Sequence, residues 1–195
     1  MKKFANYEET TTYADFPKIP SGGYLAVIKA AEVKTFSGQN GDFEKLEISF
    51  DITSGEYKDY YANQYRSSTA TDKKWKGKVS IYIPTDDGSE MDAVTKRRFK
   101  TVIEAVEESN SGYHWDWDEK KLKGKKCGVV LRNKEWEYNG KTGWSAIPYS
   151  IVSCEAVNNG TFYMPKDLPL NNHAAPVQAE PTKDFEEITE EDLPF

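Results

Sequence analysis

Lys45-Leu46-Glu47-Ile48-Ser49-Phe50-Asp51-Ile52 alternates apolar and polar side chains without a break. Successive side chains of an extended strand point to opposite faces. The octet therefore reads as a strand that buries Leu46, Ile48, Phe50 and Ile52 and shows Lys45, Glu47, Ser49 and Asp51 to the other side. Upstream, Tyr24 to Thr35 is rich in Val, Ile and Ala, and Ser37-Gly38-Gln39-Asn40-Gly41-Asp42 between the two runs is turn chemistry, so the pair forms a hairpin. Downstream, Tyr57 to Arg66 reads as a third extended segment, or as a continuation of the second strand beyond a kink at Gly55. Val79, Ile81 and Ile83 alternate again and stop at Pro84.

The period then changes. Met91, Val94, Phe99, Val102, Ile103 and Val106 recur every three to four residues, and Asp92 falls where a helix dipole favours an acid. Cys127, Val129 and Leu131 open another strand, Asn139-Gly140 marks a tight turn, and Gly143 to Val157 returns. A turn at Gly140-Lys141 would set Cys127 opposite Cys154, and one at Asn139-Gly140 would set it opposite Val152. In either case free thiols serving as small core residues are expected. The expected fold class is mainly β: an OB-fold-like, five-stranded Greek-key barrel with one helix between the third and fourth strands. The expected domains are an N-terminal arm over 1–21, the barrel over 22–165, a disordered linker over 166–189 and an acidic tip over 190–195.

Charge is distributed unevenly. Of the 195 residues, those from 166 onward hold two bases, Lys166 and Lys183, and eight acids, which account for the whole net charge of −6. The body is electrically balanced, so the acidity of the chain does not exclude a polyanionic partner. No apolar run is long enough to span a membrane, no signal peptide is visible after Met1-Lys2-Lys3, and two cysteines suit a reducing cytoplasm. His114, His173, Cys127 and Cys154 are scattered, so neither metal nor cofactor is expected.

Stacking surfaces interleaved with cations bind single-stranded nucleic acid without reading its sequence. Arg132, Lys134, Trp136 and Tyr138 occupy alternate positions of one strand and share a face, with Glu135 and Glu137 on the core-side parity. A cross-strand aromatic cluster under lysine stems would produce the same pattern. Lys73-Lys74-Trp75-Lys76-Gly77-Lys78 puts four lysines around a tryptophan, either to close over a nucleic-acid strand or as a solvated loop whose Trp75 caps the core. Tyr65 and Arg66 border the same groove. Tyr57, Tyr61 and Tyr65 share a four-residue spacing that leaves at least one for the core, and Tyr82 and Trp144 are lesser candidates. Lys120 to Lys126 reads as a solvated connection.

The chain ends Glu190-Glu191-Asp192-Leu193-Pro194-Phe195, preceded by Glu186 and Glu187. Pro194 stiffens the approach, Phe195 offers an aromatic plug, and its carboxylate suits a basic or amide-lined pocket mouth. This ending resembles the C-terminal tip of bacterial and phage single-stranded DNA-binding proteins. The resemblance implies binding of single-stranded DNA by the barrel and recruitment of replication and recombination proteins by residues 190–195, in the cytoplasm of a bacterial host. Self-association is left open. Two further readings stand beside it: a protein-interaction adaptor barrel without DNA binding, and a metal-dependent nuclease built on Asp51, Glu56 and Lys58.

Overall fold

The alternating octet is the second half of a strand, and its buried parity is the centre of the core. In the computed structural model, which describes residues 2–3, 5–10, 17–38 and 41–170, five strands form one antiparallel sheet. They are β1 (Gly22–Gly38), β2 (Gly41–Ile52), β3 (Lys78–Tyr82), β4 (Lys126–Tyr138) and β5 (Lys141–Val152), ordered β3-β2-β1-β4-β5. Leu46, Ile48, Phe50 and Ile52 are almost wholly buried, together with Ile28, Val79, Cys127, Val129, Leu131 and Ile151. Each such side chain contributes roughly 1.5–3 kcal/mol on leaving water. The protein is thus mainly β with few helices. The terminal tip, the linker from 171 onward and Phe4, Tyr13 and Phe16 of the arm lie outside the described residues.

Helix α2 (Glu90–Glu108) follows β3, as its period predicts. Ser89 caps it by accepting a hydrogen bond from Asp92 N, and Val102 and Val106 pack into the core. Among the described residues no helix is long and apolar enough to cross a membrane.

Two segments depart from the sequence reading. Tyr57 to Arg66 is not extended: the chain turns after Ile52 and forms helix α1 (Tyr60–Ser67). Its cap comes from another element. Asp51, on β2 and buried, accepts from Ile52 N at 2.9 Å, Tyr61 N at 3.0 Å and Ala62 N at 3.1 Å. Three donors stabilise a carboxylate that would otherwise be costly to bury. Tyr61 enters the core edge-on to Phe50, with ring centroids 5.3 Å apart.

The last strand is also shorter than expected. β5 stops at Val152, and 154–159 form helix α3, capped by Ser153 accepting from Ala156 N. Pairing in β4–β5 shifts between Val130↔Ser150 and Leu131↔Pro148, so Tyr149 is an extra, bulged residue. The turn does fall at Asn139-Gly140, yet the bulge brings Gly128, not Cys127, opposite Val152. Both thiols are free; Cys127 is buried, which pushes its pKa up to about 12, while Cys154 is half-buried at the start of α3. α3 closes the sheet's outer face near β4, where a side chain at Gly128 would come within 2.5 Å of Val157.

Asp51 ties β2 to α1 with a single buried carboxylate. Asp51→Ala is expected to lower stability by about 2–3 kcal/mol, the loss of charged hydrogen bonds and a helix cap, read from urea unfolding. A change below a few tenths of that would mean the amides find other acceptors.

Candidate nucleic-acid interface

With Cys127, Val129 and Leu131 of β4 facing the core, the opposite parity carries Arg132, Lys134, Trp136 and Tyr138 outward. Beyond Arg132 this outer face is open. Lys134 is exposed, Trp136 is 37% exposed and Tyr138 is 72% exposed. Trp136 pairs across the hairpin with Gly143, and a side chain there would come within 2.6 Å of the indole. The glycine leaves room for the ring to lie over the backbone of β5. Arg132 is different: its guanidinium sits 5.0 Å from the Tyr149 ring centroid and its Nε is buried, so it serves packing at the base of the hairpin. Trp144 pairs with Glu135 and therefore lies on the face opposite Trp136. The platform is Lys134, Trp136 and Tyr138, without Trp144.

The lysine-rich loop and α1 do come together, in a modified form. Trp75 donates its indole N–H to Phe50 O and Gly77 O, each at 3.1 Å, and packs on the core. It anchors the loop. Tyr65, still 40% exposed, leans on Trp75 with centroids 5.9 Å apart, and Lys73 Nζ lies 5.9 Å from the Tyr65 centroid. Arg66, Lys74 and Lys76 are exposed around this ring, with Lys74 facing Asp72 at 3.4 Å. Tyr61 is 4% exposed and its buried hydroxyl is pushed to a raised pKa by desolvation, so it cannot meet a ligand. Lys78 belongs to β3 and pairs with Glu47 at 3.3 Å.

Of a third cluster the sequence reading had only Tyr82, as a lesser candidate. On the outer parity of the β1–β2 hairpin, Phe36 stacks on its cross-strand partner Phe43 at 5.6 Å, and Phe43 meets Tyr82 of β3 at 5.5 Å. Lys45 Nζ stands over all three rings, at 5.7, 5.5 and 4.3 Å from the centroids of Phe36, Phe43 and Tyr82. The β1–β2 register, which pairs Gly38 with Gly41, sets Phe36 opposite Phe43, so hairpin register was the available signal. The neighbouring cations are spoken for: Glu47 accepts from Lys34 at 2.7 Å and from Lys78 at 3.3 Å.

After α3 the chain crosses the outer face at the start of β1, where a side chain at Gly23 would strike the Phe162 ring. It then joins β4 as a strap. Leu168 N donates to Asn133 O at 2.9 Å, Leu168 O accepts from Glu135 N at 2.8 Å, and Leu170 N donates to the Glu135 carboxylate at 3.0 Å. Residues 166–170, assigned by composition to the linker, are held beside Lys134.

Asp51 spends its carboxylate on α1, while Glu56 and Lys58 are exposed. Among the described residues no group of three or more His, Cys, Asp or Glu is placed to hold a metal ion. Comparison with protein-family models and with curated protein sequences returns no match.

The hydrogen bond from Lys34 holds the Glu47 carboxyl below its ordinary value. A depressed folded pKa stabilises the protein above the unfolded value of about 4.3 and loses that stabilisation as pH falls through the folded one. Between roughly pH 5 and 3 the wild-type melting temperature is expected to fall further than that of Glu47→Gln. The difference should reflect about 1 kcal/mol, since Glu47 is largely buried but both lysines keep a third or more of their surface in water. Parallel profiles would mean the lysines contribute nothing through Glu47.

Proposed function

We propose that this chain binds single-stranded DNA with little sequence preference on an OB-type barrel, and recruits replication and recombination proteins through its C-terminal tip, as phage or prophage proteins of this kind do in a bacterial host. The observation that carries the reading is the set of outward-facing aromatic rings interleaved with lysines: Trp136 and Tyr138 with Lys134, Phe36, Phe43 and Tyr82 with Lys45, and Tyr65 with Lys73. The barrel reading is supported by the strand order, by α2 between β3 and β4, and by the contact between β3 and β5, the two outermost strands of the ladder.

In this reading bases stack on the rings, and phosphates pair with Lys45, Lys134, Arg66 and the lysines at 73, 74 and 76. Stacking tolerates any base because every base has a π-face. Charge contributes through counterion release, one increment per phosphate neutralised. Lys34 and Lys78 do not count toward it while Glu47 holds them. The tip belongs to the proposal through its resemblance and its chemistry: an aromatic plug and a terminal carboxylate in one residue, Phe195.

Oligo-dT is expected to quench tryptophan fluorescence. Trp136→Ala and Phe43→Ala should each weaken binding by about 1–3 kcal/mol, the range of one base–aromatic stack, whereas Trp144→Ala should change it little. Glu47→Gln should tighten binding and steepen its salt dependence by freeing Lys78, while Lys34 keeps its contact with Glu32. No measurable affinity at about 50 mM salt would end the reading.

Phe195→Ala should abolish capture of replication or recombination proteins and leave the melting temperature unchanged. A chain truncated after Leu170, which keeps the strap, should still bind oligo-dT and fail to capture them. Retention of every partner by Phe195→Ala would reduce 190–195 to a solubilising tail.

A further inference from the structure

A groove of about 800 Å³ runs along α2, walled by Phe99 and Ile103 of the helix, Val33 of β1, Ile83 after β3, and Trp115 and Trp117 before β4. Trp117 is 80% exposed and sits at φ 66°. A left-handed backbone is unfavourable for a bulky residue, and an indole in water adds a second cost. The ring is nonetheless held in order, parallel to Phe99 with centroids 6.3 Å apart and 6.2 Å from Trp115.

The charges of α2 are ordered as well. After the acids of its first turn come Lys96, Arg97, Arg98 and Lys100, then Glu104, Glu107 and Glu108, with no base in the last turn. Acids at a helix C-terminus oppose its dipole, and the i,i+4 pairs Lys96–Asp92 and Lys100–Glu104 account for only part of the pattern. Lys96 is held by Asp86 and Asp92, whereas among the described residues Lys100 and Glu104 pair only with each other, at 3.5 Å and largely exposed. The groove lining carries four acids, Asp86, Glu104, Glu107 and Glu119, against two lysines. That excess is unfavourable both for a nucleic-acid backbone and for the acidic tail of this chain.

One occupant matches both patterns. We propose that a second copy of this chain docks along α2 in an antiparallel, two-fold arrangement, with the Phe99–Trp117 pair of each copy in the groove of the other. A two-fold axis crossing the exposed side of the helix, at the level of Val102, sets Lys100 of each copy against Glu104 of the other, and Arg97 against Glu107, whose carboxylate also accepts from Trp115 N at 2.6 Å. The surface is then self-complementary, as an isologous contact requires. The proposal does not depend on the nucleic-acid reading, since none of its residues belongs to the outward-facing platforms.

The test is the mass of the full chain by sedimentation equilibrium. The wild type is expected to dimerise, and Trp117→Ala to shift toward monomer. Lys100→Glu and Glu104→Lys should each raise the dissociation constant by about tenfold or more, because like charges then meet twice. Mixed in equal amounts, the two charge variants should dimerise again, since every contact in the mixed dimer joins opposite charges. An intrahelical role for the pair cannot produce that rescue. A monomeric wild type, a dimer indifferent to Trp117→Ala, or a mixture that stays monomeric overturns the proposal. So does loss of oligo-dT binding in Trp117→Ala with the mass unchanged, which would give the groove to nucleic acid.

Discussion

β1 pairs with two partners along different halves of its length, and the architecture depends on that division. Gly22 to Val27 pairs with β4, while Ala26 to Gly38 pairs with β2, so Ala26 and Val27 have a strand on both sides, and Ile28 is bonded on its free side to Gly124 and Lys125 just before β4. A bulge at Lys29 lies just past the overlap. The two hairpins therefore diverge from a narrow shared region, and each extends a stretch with an outer face that no strand neighbour covers. The core fills beneath the overlap, where β2, β4 and α2 converge on Ile28, Phe50, Val106 and Cys127. The aromatic platforms are carried on the diverging ends.

Electrostatics on the outer face takes two forms at one level of the β1–β2 hairpin. Lys34 is matched to acids, Glu32 and Glu47. Its cross-strand partner Lys45 stands over the rings of Phe36, Phe43 and Tyr82 instead. A cation over a π-face keeps most of its charge available to solvent, while one hydrogen-bonded to a carboxylate does not. A body with no net charge can in this way still present locally positive, stackable surface.

Much of the sheet was legible because its cause is local. Period-two alternation in 45–52, 79–83 and 127–131 and the three-to-four spacing of α2 are properties of contiguous residues, and each element forms there. α1 was not legible because its decisive partner, Asp51, lies on a preceding strand and acts through backbone amides that have no sequence signature. The same holds for Tyr149: one bulged residue moved the β5 register and falsified both cysteine alignments. Parity alone set Lys134, Trp136 and Tyr138 on one face, where the structure has them. It could not tell that Arg132 would be drawn onto Tyr149, that Trp75 would spend its N–H on the core, or that Tyr61 would be buried. The Phe36–Phe43–Tyr82 cluster needed three strands in register.

The strap at Leu168 has a bearing on solubility. β1 begins at Gly22, opposite Leu131, so beyond that point β4 would offer Asn133 O and Glu135 N as bare ladder groups beside large aromatic residues. Unpaired strand edges of that kind are templates for uncontrolled growth of sheets between molecules. A single bridging residue, contributed from the far end of the folded body, blocks the template at its most accessible stretch. The stretch that carries Leu168 back to β4 is therefore part of how this sheet remains finite.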